Sequence, residues 1–201
     1  MKKYFICFGH GSTGKYSINI LKNENYTVYK VIKKNFLNIN YKKILKVTNK
    51  AIIGFADIKN LSKNEYIFNF LKEKKFNLLK CIHETALVDE SSQIKEGCKI
   101  FSRVIIGPNV RLGKNILINN GSIIEHDVVI GDNSQVAPGS KIAGNVKIGR
   151  NTLIGIGSVI KEGVRIGSNC IVGAGTVVIK DLEKGFVYAG IPARKIKKNN
   201  D

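Results

Sequence analysis

Three histidines occur in the 201-residue chain: His10, His83 and His126. His126 has the neighbours of a general base. It stands in Ile123-Ile124-Glu125-His126-Asp127, where a flanking carboxylate can hold one ring nitrogen and leave the other to accept a proton. Eighteen residues further on is Gly144, a position with no side chain to crowd the ring and a backbone amide to offer an oxyanion. An exposed histidine with no chemical role has the same local sequence, so residue type alone leaves both readings open.

A second candidate is the glycine-rich run Gly9-His10-Gly11-Ser12-Thr13-Gly14. Read through Lys15 it has P-loop spacing, but Tyr16 stands where a hydroxyl must hold magnesium, which argues against nucleotide hydrolysis. Read as a dinucleotide fingerprint it fits formally. The strand that follows, however, ends in Ile32-Lys33-Lys34, with no acid to bind a ribose. What remains is generic: bare amides at a helix start favour an anionic or hydroxyl-rich ligand. The four cysteines lack metal-ligand spacing, and no metal is expected. A three-histidine zinc site is excluded as well, because His83 and His126 lie more than two coils apart in the repeat described next.

The element that must position His126 is a repeat. Every sixth residue from Ile82 to Val178 is Ile, Val or Leu, without a slip of register. Two places before most of them runs a second ladder of small or β-branched residues, including Cys98, Val104, Ser122, Thr152 and Cys170. A fixed six-residue period means a parallel β-helix. Three hexads make one coil, so residues eighteen apart stack about 4.8 Å up the axis. Face one carries Ile82, Ile100, Ile118, Val136, Ile154 and Val172; face two carries Val88, Ile106, Ile124, Ile142, Ile160 and Val178. Face three carries Ile94, Leu112, Ile130, Ile148 and Ile166. His126 then falls at a corner, pointing outward, directly beneath Gly144.

Before the repeat, Lys3–Phe8 reads as a buried strand, followed by the glycine turn and a helix. Tyr26–Ile32 and Ala51–Phe55 read as further strands, and Ser62-Lys63-Asn64-Glu65 has the form of a capping box opening a helix. The expected fold is an α/β Rossmann-like domain over residues 1–81, a β-helix over 82–180 and a basic tail over 181–201.

The formal net charge is +18, yet lysine is spread along the whole chain, so no nucleic-acid partner is expected. A basic surface also suits anionic small molecules. No apolar run is long enough to span a membrane, and the apolar stretch before Gly9 is too short for a signal peptide. The expected location is the cytoplasm.

Several motifs together carry a resemblance: Ile82-His83 entering the repeats, Glu125-His126-Asp127, Ala143-Gly144-Asn145-Val146-Lys147-Ile148-Gly149, Gly173-Ala174-Gly175 and Gly190-Ile191-Pro192-Ala193-Arg194. Over nearly its whole length the chain resembles bacterial sugar acyltransferases of the sialic acid O-acyltransferase type. That family includes acetyltransferases of nucleotide-linked 4-amino sugars. The resemblance implies a left-handed β-helix, a homotrimer, and acetyl-CoA as acyl donor bound between subunits. It implies His126 as base, oriented by Asp127, with Gly144 and Asn119 at the acyl pocket. Contacts to the donor would fall at Gln135, Ile156 and Ala174, and the acceptor sugar or nucleotide sugar at Gly11, Ser12, Thr13, Lys33, Lys34 and Gly54.

Two departures from the family pattern stand out. Gln135 stands where some relatives have a second histidine, and Lys33-Lys34 stand where relatives often have two acids. The second change implies an acceptor carrying a carboxylate or an extra phosphate. A solenoid that binds CoA without catalysing transfer is the alternative.

Overall fold

A computed structural model describes residues 2–33, 36, 39–58 and 60–199. The N-terminal part is a four-stranded parallel sheet, ordered β2-β1-β3-β4, with strands β1 (Lys3–Phe8), β2 (Tyr26–Ile32), β3 (Lys50–Ile53) and β4 (Asn77–Leu78). Helices α1 (Ser12–Asn23), α2 (Tyr41–Leu45) and α3 (Leu61–Glu73) connect them. The chain leaves β1 for β2 on one side and returns to β3 on the other. This order opens a crevice at the carboxyl ends of β1 and β3, where open α/β sheets bind ligands. The glycine turn and Gly54 line that crevice because the two backbones touch there. A Cβ on Gly14 would lie 2.7 Å from the Gly54 carbonyl oxygen, and one on Gly54 would lie 2.5 Å from the Cys7 sulfur.

The start of α3 differs from the capping-box reading. Asn60 is the N-cap, and its side chain accepts from the Lys63 amide at 2.7 Å. Ser62 sits inside the first turn and donates to Asn60, while Glu65 reaches away to accept from Asn151 at 2.7 Å. The coil surface competes for Glu65, and Asn caps a helix as well as Ser does.

From Cys81 onward the chain is a parallel β-solenoid of about six turns, each rung a two-residue strand paired with the rung eighteen residues away. Every inward aliphatic from Ile100 to Val178 is buried to 4% or less, and the second ladder from Cys98 to Thr176 is buried as well. Burying each of these side chains contributes about 1.5–3 kcal/mol before chain entropy is subtracted. The small polar members of the ladder bond to the backbone: the hydroxyls of Ser122, Ser134, Ser140 and Ser158 donate to the carbonyls of Ala137, Gly149, Gly155 and Gly173.

Residues 181–199 are structured. Phe186–Ala189 pairs parallel with the last rung of face one, and Arg194–Lys198 pairs antiparallel with it at the sheet's edge.

The N-terminal sheet sits on face one. Phe5, Cys7, Ile20, Leu21 and Ile52 form one buried cluster with Cys81, Phe101 and Leu117 of the coil. At the corner between faces three and one, Asn115 donates to the Asn64 carbonyl of α3. At the corner between faces one and two, the Tyr16 hydroxyl of α1 donates to Ser102 at 2.9 Å. Among the described residues no helix is long and apolar enough to cross a membrane.

Candidate active site

His126 lies at the corner between faces two and three, with its side chain exposed. Its Nδ1 is 2.9 Å from Asp127 Oδ2, which fixes the ring proton on Nδ1 and turns Nε2 outward as the acceptor. Asp127 adopts φ +58, a left-handed conformation that Asp tolerates better than most residues, and it brings the carboxylate back toward its neighbour's ring. That hydrogen bond, with the nearby charges of Glu162 and Glu125, raises the His126 pKa above the ordinary histidine value. Asp127 is held low by the same bond and by the side chain of Asn109.

The stacking is as the eighteen-residue spacing demands. A Cβ on Gly144 would lie 2.5 Å from both Cε1 and Nε2 of His126, so the ring occupies the space that a larger residue would fill. The Asn145 amide donates to the His126 carbonyl at 3.0 Å and locks this register. The Gly144 carbonyl accepts from Gly163, while its own N–H has no acceptor among the described residues. A base and a free amide donor therefore sit side by side. That arrangement suits proton removal from a nucleophile attacking a carbonyl whose oxygen gains charge.

The other residues singled out in the sequence fall into separate groups. Ile156 and Ala174 stack on each other at the corner between faces one and two, both exposed, and Ile156 keeps 60% of its surface free. Asn119 lies at the same corner, where its side-chain oxygen accepts from the Asn120 amide. Gln135 is brought to neither corner: it is buried on face one, where its side-chain amide donates to the Asp57 carbonyl at 3.2 Å. Gly11, Ser12 and Thr13 form the uncapped start of α1 at the crevice, with Gly54 packed behind them. Lys33 follows β2 and is exposed; Lys34 lies outside the described residues. Among the described residues no group of three or more His, Cys, Asp or Glu is placed to hold a metal ion.

Two features went unread in the sequence. Asn109 and Glu162 both act on the His126–Asp127 pair, and their spacings of eighteen from Asp127 and thirty-six from His126 were the signal. Face two carries an outward row that is apolar at five of six positions, with Leu87, Ile105 and Val159 exposed by 66%, 41% and 42%, Ile123 and Val177 half-buried, and the exposed Lys141 between Ile123 and Val159. The matching row of face three is instead mainly polar: Gln93, Arg111, Lys147 and Arg165 are exposed there.

Residues 109–144 and 145–180 match the family of bacterial transferase hexapeptide repeats. The whole chain superposes on PerB from Caulobacter crescentus, solved with CoA and GDP-perosamine: 25% identity, TM-score 0.89, covering 96% of each chain. A variant described as GDP-perosamine N-acetyl transferase from the same organism matches at 24% identity, TM-score 0.89, covering 96% of this chain and 97% of that one. The acetyltransferase domain of PglB from Neisseria gonorrhoeae FA1090, solved with acetyl coenzyme A, matches at 20% identity and TM-score 0.86, covering 98% of this chain and all of that one. Residues 109–180 thus carry the hexapeptide repeats of bacterial transferases, and the chain as a whole has the fold of these sugar acetyltransferase structures.

Proposed function

We propose that this protein is an acetyl-CoA-dependent acyltransferase that moves an acetyl group to a hydroxyl or amine of a sugar in surface-glycan biosynthesis. The observation that carries the reading is the His126–Asp127 pair with the Gly144 backbone against its free nitrogen. The solved structures of the same fold, bound to CoA, acetyl coenzyme A and GDP-perosamine, support it.

In this reading Nε2 of His126 takes the proton from the acceptor hydroxyl or amine as its lone pair attacks the thioester carbonyl. The Gly144 amide stabilises the charge that develops on the carbonyl oxygen. The proton then passes from His126 to the departing thiolate, leaving an acetylated sugar and the free thiol of CoA, with His126 neutral again. The acyl donor supplies the activated acetyl group. Exposed Ile156 beside Ala174 fits its apolar arm, and exposed Arg194, Lys195, Lys197 and Lys198 fit its phosphates.

One copy of the chain does not assemble this site. His126 and Gly144 border face two on one side, and Asn119, Ile156 and Ala174 border it on the other. The face between them is the row from Leu87 to Val177, apolar except at the exposed Lys141. Burying that row about an axis parallel to the coil places the His126 corner of one copy against the Ile156 corner of the next. A homotrimer of left-handed coils does this, with the Rossmann-like residues 1–81 holding the acceptor, residues 82–180 the catalytic coil and 181–201 the basic tail. We place the enzyme in the cytoplasm, with its nucleotide-sugar or sialic-acid-like substrate.

His126→Ala tests the reading. Acetyl transfer to a panel of amino-sugar nucleotides and acidic sugars should fall about 10²–10⁴-fold with CoA affinity kept. Full activity in this variant would remove His126 from the mechanism.

A further inference from the structure

A cleft of about 480 Å³ opens at the corner between faces one and two, beneath α1 and on the first three coils. This is the size of pockets that take small ligands. Tyr16, His83, Thr85, Ser102, Arg103 and Asn120 line it. No acidic side chain does.

The internal hydrogen bonds of the cleft fix what it can offer. The Tyr16 hydroxyl donates to Ser102 Oγ at 2.9 Å, and Ser102 Oγ donates to Asn120 Oδ1 at 3.1 Å. That bond takes one lone pair of Asn120 Oδ1 and leaves the amide protons of Nδ2 to donate. The Thr85 amide donates to Nδ1 of His83 at 3.1 Å, which puts the ring proton on Nε2. Thr85 Oγ1 accepts from the Arg103 amide at 3.1 Å, which anchors Arg103 at φ +56 with its guanidinium exposed at the rim. Its unspent donors are Asn120 Nδ2, His83 Nε2 and the positively charged Arg103 guanidinium, while lone pairs remain on the Tyr16, Ser102 and Asn120 oxygens. A guanidinium with two further donors and no carboxylate in the lining favours an anionic oxygen over a neutral hydroxyl.

We infer that this cleft binds an oxyanion, a carboxylate or phosphoryl group, of the acceptor substrate. The inference rests on the acyltransferase reading for the word acceptor, and coil height supplies that assignment. Asn120 belongs to the same coil as His126, while Ser102, Arg103, His83 and Thr85 lie one and two coils below. Ile156 and Ala174 lie two and three coils above. In an assembly about an axis parallel to the coil, a neighbour's His126 stands level with Asn120. The donor then comes down from one side of the histidine and the anionic acceptor up from the other.

The test uses the full-length protein and three probes measured by NMR titration: glucuronate, UDP and CoA. Arg103→Ala removes the guanidinium. His83→Asn keeps an acceptor for the Thr85 amide while removing Nε2. Both variants should weaken glucuronate, UDP or both by about 10- to 100-fold, the loss of a charge-assisted hydrogen bond, with CoA affinity unchanged. Loss confined to glucuronate marks a carboxylate site, and loss confined to UDP marks a phosphoryl site. If neither probe weakens in either variant, or CoA alone weakens, the inference is overturned. These readouts are binding measurements, so an inactive protein that still loses anion affinity would refute the acyltransferase reading and leave the oxyanion site standing.

Discussion

Gly144→Ala is the sharpest probe of the proposed catalytic geometry. The added Cβ would sit 2.5 Å from Cε1 and Nε2 of His126, against an ordinary contact distance of about 3.4 Å, so the ring must retreat by about 1 Å. Gly144 lies outside the left-handed backbone region, so alanine fits the main chain there. The three nearest atoms all belong to the ring of an exposed side chain that can swing away, and stability should change by no more than about 0.5 kcal/mol. Displacement of a base by about 1 Å can lower kcat on the order of 10²-fold. Thermal melting and CoA binding should therefore match the parent protein while acetyl transfer collapses. The double variant with His126→Ala should be no slower than His126→Ala alone, because both changes disable the same group. Wild-type kcat in Gly144→Ala, or additive losses in the double variant, would show that the stacked glycine does not set the position of the base.

Four further outcomes are expected. A base acts only when unprotonated, so kcat/KM should rise with pH through an inflection above the ordinary histidine value of about 6.5; Asp127→Asn should move it to lower pH and lower the plateau, and an unmoved inflection contradicts the pairing. Mixing His126→Ala with Ile156→Glu chains, co-refolded in equal amounts, should restore about a quarter of parental activity by random assortment of neighbours, whereas a site contained in one chain restores none. Val159→Glu on the apolar row of face two should yield monomers by light scattering and abolish transfer, and an intact inactive assembly would point elsewhere. Ile124→Ala, in the core just beneath the His126 corner, should cost about 2–5 kcal/mol in urea titration, and a loss under 1 kcal/mol would mean the coil collapses around the gap.

The solenoid was legible because its signal is periodic: each inward position recurs six residues on, and burial from Ile100 to Val178 follows that count. The stacking of Gly144 on His126 came from the same arithmetic. Outward positions were less legible, because their environment depends on what packs against each face. Lys99 shows this. By spacing it is a surface lysine, but the N-terminal sheet covers it to 3% exposure, and its ammonium donates to the Gly97 carbonyl and Asn115 Oδ1. Burial pulls its pKa down for the same reason. Gln135, on the same covered face, likewise spends its amide on Asp57. The start of α3 was misread because Ser62 and Glu65 have cap-like spacing locally, while tertiary partners claim Glu65.

The strands that follow the last coil govern how the molecule grows. A β-solenoid presents the same edge at every level, so an uncovered end is a template onto which another copy can add, rung upon rung. Here Phe186–Ala189 takes the next place on face one, and Arg194–Lys198 closes over it in the opposite direction. Reversal of direction breaks the parallel register that polymerisation needs, and a wholly exposed Arg-Lys-Ile-Lys-Lys strand makes two such ends repel. The segment thus acts as a chain terminator for a fold that is otherwise a filament in miniature.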